Sequence, residues 1–359
     1  MGNLQRCDRM KRFKGLLEIA FTGILLFQLV IAQDKQNEIQ FTKDVSNVGT
    51  SAATFLEIGV GARAMAMGGA YSSVANDATA LYWNSAGIAR IDGIQVELMH
   101  NKWLAETNYN FIGIAVPVPA IRSAIGLSII YLDYGTDLVR TVERPEGTGE
   151  KFTAHDMAVG FSISKALTDR FSFGITTKIV SQQIWNEKGS ASALDFGVLY
   201  SDLVQGLNLG ANISNFGNDI RLDGRDLRRI IDPNEQVANF DRVPVNYNTG
   251  SYPLPLLFRV GISYEKALGY LGNLLFAIDL NHPSNATESI NLGAEFCFNN
   301  LFYIRGGYEN MFELDSINGL TLGGGINIPK LGGMGFRIDY AWSDWGILNN
   351  GQRFSVSIY

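Results

Sequence analysis

Three histidines, His100, His155 and His282, and a single cysteine beyond the basic N-terminus, Cys297, are the residues best suited to metal or nucleophile chemistry. They stand far apart and show no ligand spacing, and the chain carries no zinc signature, P-loop or GxSxG elbow. The sequence therefore gives no support to an enzyme, a resident metal or a cofactor. What remains is charge. Asp279, Glu295, Arg305, Arg337 and Asp339, with Arg259, sit at alternate positions among apolar residues, while Arg63 and Asp77 sit in a stretch rich in glycine and alanine. The chemistry open to such groups is charge-assisted pairing, and away from water they are costly unless wet or paired. They either brace an interior or contact a substrate.

The elements that must position these charges are strands. From Gly93 onward the chain is a succession of period-two segments, the pattern of a strand with one apolar face. Phe258, Val260, Ile262 and Tyr264 alternate with Arg259, Gly261, Ser263 and Glu265. Ile290, Leu292, Ala294, Phe296 and Phe298 alternate with Asn291, Gly293, Glu295 and Cys297, and Phe336, Ile338, Tyr340 and Trp342 alternate with Arg337, Asp339 and Ser343. About fourteen such runs occur, each of roughly 9–11 residues, long enough to cross a bilayer as a tilted strand. Phe111–Leu132 is apolar enough to suggest a membrane helix, but Pro117, Pro119 and Arg122 in its middle make it two strands and a turn.

A soluble sandwich and a membrane barrel both use such strands. Connection lengths separate them. Odd-to-even connections, such as Asp133–Phe152 and Gly217–Pro255, are long, and even-to-odd ones, such as Pro117–Ile121 and Asn299–Asn300, are tight. Long loops on one side and short turns on the other are the outer-membrane pattern, with apolar residues in lipid and polar ones in the lumen. The expected fold is an all-β, antiparallel transmembrane barrel of about 14 strands in the bacterial outer membrane. Glu295 and Arg305 should then be neighbours in the lumen. Trp103, Trp185, Trp342 and Trp345 fall at the outer strand ends, where an aromatic girdle is expected.

Residues 1–32 read as a signal peptide: Arg6, Arg9, Lys11, Arg12 and Lys14, then an apolar run from Leu16 to Ala32. Its removal takes five of 29 basic and two of 35 acidic residues, leaving 24 minus 33, a net charge of −9. That sign disfavours nucleic acid as a partner. Residues 33–92 form an N-terminal segment, and 93–359 the barrel. Within the segment, Phe55–Arg90 is dense in small residues, which suits a crowded interior. Ala78–Trp83 should form a short helix capped by Asn76 or Asp77 and ended by Asn84-Ser85-Ala86-Gly87.

The stretch Gly61–Arg90 resembles the N-terminal signature of the PorV/PorQ family, a branch of the FadL-like outer-membrane proteins. The matching residues are Gly61, Ala62, Arg63, Met67, Gly68, Gly69, Ala70, Asp77, Ala78, Ala80, Tyr82, Trp83, Asn84, Ala86 and Gly87. Asn76 stands where the pattern has an acid, and Ser85 where it has proline. The resemblance implies a fourteen-stranded barrel whose N-terminal segment plugs the lumen. It also implies a role linked to protein secretion, with exported cargo or secretion-system proteins as partners. The FadL-like alternative is passage of a hydrophobic small molecule, and a purely structural barrel is the third reading. As a plug, the segment would hold Arg63 and Asp77 against wall charges such as Glu295 and Arg337. Mixed charge in Gly217–Pro255, including Arg221, Asp223, Arg225, Asp226, Arg228, Arg229, Asp232 and Glu235, fits a solvated outer loop.

Overall fold

Alternation of apolar and small or polar residues drives every long element of the structure. The structure, a computed structural model, describes residues 48–231, 243–313, 316–331 and 334–359. The expected signal peptide, and Asp232 and Glu235 of the long loop, lie outside the described residues. The fourteen runs are fourteen strands: β1 (Gln95–Lys102), β2 (Asn108–Val118), β3 (Ser123–Leu138), β4 (Lys151–Ala166), β5 (Phe171–Ile184), β6 (Glu187–Tyr200) and β7 (Leu207–Gly217). Then follow β8 (Leu257–Ala267), β9 (Asn273–Pro283), β10 (Ser289–Phe298), β11 (Phe302–Met311), β12 (Leu320–Leu331), β13 (Met334–Asp344) and β14 (Asn350–Ile358).

Each strand pairs antiparallel with its sequence neighbours, and β1 also pairs with β14, Val96 opposite Ile358 through Lys102 opposite Gln352. The sheet closes on itself. Closure leaves no open edge, which is what a bilayer demands of a spanning sheet. The outward face is apolar: Ile262 is 49 % exposed, Ile338 50 % and Phe276 51 %. The inward face is buried and polar, with Asp279, Glu295, Arg305, Asp339, Arg353 and Ser263 among its residues. A closed barrel with an apolar belt and a polar interior is a membrane-spanning barrel of the outer-membrane kind.

Loop lengths follow that order only at the longest connections: β5 and β6 meet on the odd-to-even side across Trp185 and Asn186 alone, so most of the expected outer connection Asn186–Ala191 is strand. The odd-to-even side carries residues 139–150 and 218–256, and β3 and β4 run to 16 residues each on the way to it. Part of the long connection is itself ordered as a hairpin, Arg228–Ile231 against Val243–Asn246. On the other side β2 meets β3 through the single turn Pro119–Ile121, so the two-strand reading of Phe111–Leu132 holds. The tryptophan girdle fails at two of its four positions, Trp103 and Trp345. Trp342 faces outward between inward Ala341 and Ser343, but Trp345 is 8 % exposed and meets Trp103 edge-to-face at 4.5 Å, both lining an internal cavity.

Residues 54–91 lie inside the ring. Their core is small: Ala62, Ala64, Ala66, Ala70, Ala75, Ala78 and Ala80 are buried with Met65, Met67, Tyr71 and Trp83. Two short helices occur, α1 (Ala62–Ala66) and α2 (Ala80–Trp83). The first was not expected, since five residues give no periodicity and no side chain caps it. The second is shorter than Ala78–Trp83. Asp77 Oδ1 accepts from the Thr79 amide at 3.1 Å, as a turn rather than as the helix cap. As expected, Asn84 ends α2 in an extended conformation, and it also starts a 3₁₀ turn, Ser85–Arg90, its side chain accepting from the Ala86 amide at 3.2 Å.

Two predictions arise here. Ile262→Arg or Ile338→Arg puts a charge in lipid and should cost about 2–4 kcal/mol near the midplane, seen as loss of the heat-resistant barrel band on a gel. An added side chain at Gly197 faces inward but would overlap Asn84 Oδ1, since a Cβ there lies 2.2 Å from it. Gly197→Arg should therefore keep the barrel band and displace the inserted segment; the reverse pattern would exchange the two faces. On whole cells in a Cys297→Ser background, Glu146→Cys should react with an impermeant maleimide and Asp169→Cys should not. Labelling at residue 169 alone would invert the barrel.

Candidate functional site

The inserted segment is fastened to the wall by side chains at inward positions. Ser355 Oγ on β14 accepts from the Ala62 amide at 2.9 Å, and Met99 Sδ on β1 accepts from the Gly61 amide at 3.0 Å. Thr321 Oγ1 on β12 donates to the Ala66 carbonyl at 3.2 Å. Asp279 Oδ2 on β9 takes the amides of Tyr71 and Ser72 at 3.0 and 2.8 Å. Asn84 Nδ2 donates to the Ser72 carbonyl at 2.8 Å and the Val198 carbonyl on β6 at 2.9 Å. Tyr82 donates its hydroxyl to the Leu56 carbonyl, and Trp83 its indole N–H to the Val60 carbonyl at 2.8 Å. These bonds satisfy backbone groups that an apolar filling would leave orphaned.

At the short-turn end the charges close a ring. Arg63 grips Glu295 through two bonds, Nε to Oε2 at 2.9 Å and Nη2 to Oε1 at 2.8 Å. Glu295 Oε2 also takes Arg305 Nε at 2.5 Å, and Arg305 Nη1 reaches Asp339 Oδ1 at 2.7 Å. Asp339 Oδ2 takes Arg337 Nε at 2.7 Å, Arg337 Nη2 reaches Asp77 Oδ2 at 2.9 Å, and Asp77 returns to Arg63 Nη1 at 3.2 Å. Three guanidiniums and three carboxylates alternate, two of the six from the segment and four from the wall.

Nearly all six side chains are buried, so each pair acts at low effective dielectric. Tyr71 donates to Asp77 Oδ2 at 2.7 Å, and Thr79 Oγ1 to Asp77 Oδ1 at 2.5 Å. Burial alone would raise the Asp77 pKa, but Arg337 and Arg63 outweigh it and hold the carboxyl well below the usual carboxylate range. Asp77 therefore stabilises the seated state above its ordinary pKa, and that contribution is lost only as pH falls through the depressed value. Asn76, where the family pattern has an acid, accepts from Arg63 Nη1 at 2.8 Å, so the amide keeps the acceptor. Ser85, where the pattern has proline, is buried with its hydroxyl lacking a protein partner.

The glycines of the signature admit the wall. Gly68 has φ +63°, and a Cβ there would lie 2.7 Å from the carbonyl oxygens of Leu292 and Tyr308. A Cβ at Gly87 would lie 1.9 Å from the Ala75 carbonyl. Met67 lies against β10, where a Cβ on Gly293 would come within 2.5 Å of its carbonyl, and Gly69 beside Trp83 also has positive φ.

Sequence reasoning did not single out Tyr71, Thr79, Glu97, Glu309 or Arg353. Glu97, opposite Ser357 across the closing seam, is buried and accepts from that hydroxyl. Arg353 and Glu309 line a cavity of about 300 Å³ on the loop side of the segment. All of these except Tyr71 and Thr79 occupy inward positions of period-two runs, and that was the signal available.

No family model and no curated protein matches the chain. Solved structures do. CymD, a monoaromatic hydrocarbon channel, aligns at a TM-score of 0.51 with 14 % identity, over 84 % of this chain and 96 % of its own. TodX, the toluene transporter of Pseudomonas putida, aligns at 0.52 with 14 % identity, over 84 % of this chain and 97 % of its own. The fold is that of the outer-membrane hydrocarbon channels. At this identity the likeness is one of fold, and it agrees with the fourteen-stranded barrel that the signature implies.

Proposed function

We propose that this barrel is a non-enzymatic outer-membrane channel for small molecules of hydrophobic character, with residues 54–91 as the element that controls passage. The observation that carries the reading is the lumenal segment itself: a closed barrel whose interior is occupied and ionically fastened is built to regulate a path, not merely to stand in lipid. The alignment over nearly the full length of two hydrocarbon channels supports the same class. The secretion-linked role implied by the signature draws no such support. Its residues are engaged within the lumen, where they would not meet a large exported protein.

The test is entry of toluene into a Gram-negative host without hydrocarbon channels of its own, read by a toluene-responsive cytoplasmic reporter. Expression of the chain should speed induction relative to an empty membrane. Unchanged induction, with exported protein retained at the cell surface only when the chain is present, would replace this reading with the secretion-linked one.

A further inference from the structure

The cavity on the loop side of the segment is not an apolar one. Among its lining residues are Glu57, Trp103, Arg259, Glu309, Trp345 and Arg353. Arg353 is fully buried; its Nη1 donates to Ser343 Oγ at 3.0 Å and its guanidinium lies over Trp103 at 5.5 Å, yet its Nε has no protein partner. Glu309 Oε2, Trp345 Nε1 and Asn281 Oδ1 are also buried without a protein partner. Glu309 and Arg353 make no ion pair with each other or with another described residue, although the ring at the opposite end pairs every one of its charges.

A half-buried carboxylate with one oxygen shielded from solvent and a fully buried guanidinium, sharing one cavity without an ion pair, are costly. Donors and acceptors on the same wall also need partners that a hydrocarbon cannot supply. A solute carrying one positive and one negative group supplies both at once. Trp83, Trp103 and Trp345 offer apolar faces for its body, and the volume of about 300 Å³ suits a molecule of amino-acid size. We propose that this cavity binds a small zwitterion with an apolar or aromatic body, its ammonium against Glu309 and its carboxylate against Arg353. The inference rests on the small-molecule reading of the barrel and narrows the class of solute it admits.

The experiment follows tryptophan fluorescence of the purified, detergent-solubilised protein during titration with four related probes. They are L-phenylalanine, 3-phenylpropionate (no ammonium), 2-phenylethylamine (no carboxylate) and toluene (neither). L-Phenylalanine should bind saturably, and each single-charge probe about tenfold or more weakly, the worth of one charged hydrogen bond. Glu309→Gln should lower L-phenylalanine to the level of 3-phenylpropionate and leave the latter unchanged; Arg353→Gln should lower it to the level of 2-phenylethylamine. Arg353 also packs on Trp103, so heat-modified mobility on a gel verifies folding, and Glu309→Gln decides alone if the second variant misfolds. Toluene binding as tightly as L-phenylalanine, no saturable binding of L-phenylalanine, or indifference to Glu309→Gln would each overturn the proposal. L-Phenylalanine binding without toluene entry in cells retires the hydrophobic channel and keeps the site; toluene entry without L-phenylalanine binding does the opposite.

Discussion

Glu295→Ala should unseat the lumenal segment while leaving the barrel intact. Glu295 takes three of the ring's hydrogen bonds, two from Arg63 and one from Arg305. Its removal leaves three guanidiniums facing two carboxylates in a buried site, and breaking one partner of a buried pair typically costs about 3–5 kcal/mol. The strands feel little of this, because β10 keeps its pairing with β9 and β11 through the backbone. The expected result is rapid amide exchange across residues 61–91, a heat-resistant band that persists, and higher conductance in planar bilayers. Deleting Gly61–Gly87 sets the upper limit of that conductance. Arg63→Met combined with Glu295→Leu removes one charge of each sign and should recover most of the loss, since a balanced apolar replacement can be nearly neutral. Parent-like conductance in both Glu295→Ala and the deletion would mean that the segment obstructs nothing.

The ring and the cavity divide the lumen into two electrostatic regimes. At the short-turn end all six charges of the ring are paired, and the pairing joins segment to wall. On the loop side Arg259 lies over the faces of Trp83 and Tyr82 at 5.0 and 5.5 Å, and Arg353 lies over Trp103, neither making an ion pair with a carboxylate among the described residues. Paired charge fixes position, while unpaired charge in a water-accessible cavity is available to a solute. An arriving molecule would therefore meet the cavity first and the fastened segment second. Movement of the segment would begin most readily at its loop-side half, where neutral contacts such as the wall hydroxyl of Tyr109 to the Ile58 carbonyl hold it.

Much of this was legible in the sequence, and for a physical reason. Period-two alternation survives wherever lipid demands one face and a crowded lumen the other, so all fourteen strands could be read. Counting inward positions across a tight turn also puts Glu295 opposite Arg305, the register found. Alternation fails where strands stop. Trp103 precedes a turn in which Ala105 and Glu106 have positive φ, and Trp345 follows the last residue of β13, so neither side chain inherits a face from its strand. Both were expected in a girdle, and both turn inward. The five-residue helix Ala62–Ala66 is held by the wall, not by its own periodicity or caps. Which inward residues share the cavity, Glu309 and Arg353 among them, depends on the combined registers of three successive hairpins from β11 to β14 and on how the sheet curves across them. No local pattern carries that.

Two glycines on opposite sides of one contact give the sharpest test of how the segment is seated. Gly68 and Gly307 touch backbone to backbone: a Cβ on Gly307 would lie 2.3 Å from the Gly68 amide nitrogen, and one on Gly68 would lie 2.7 Å from the Tyr308 carbonyl. Neither neighbour is the end of a flexible side chain, so the overlap cannot be relieved by a rotamer change. Gly68→Val adds a left-handed backbone penalty of about 1–2 kcal/mol, because its φ is +63°. Gly306, the adjacent residue, points the other way, and a Cβ there meets nothing nearer than Leu322 at 3.6 Å. Gly68→Val and Gly307→Val should therefore both raise conductance toward that of the Gly61–Gly87 deletion while the heat-resistant band remains. Gly306→Val should leave conductance at the parent level, since its side chain enters lipid on a strand that favours β-branched residues. The comparison holds strand, residue type and added volume constant and changes only the face. If Gly306→Val opens the barrel as much as Gly307→Val does, the effect belongs to the strand, and the backbone contact at Gly68 is not what seats the segment.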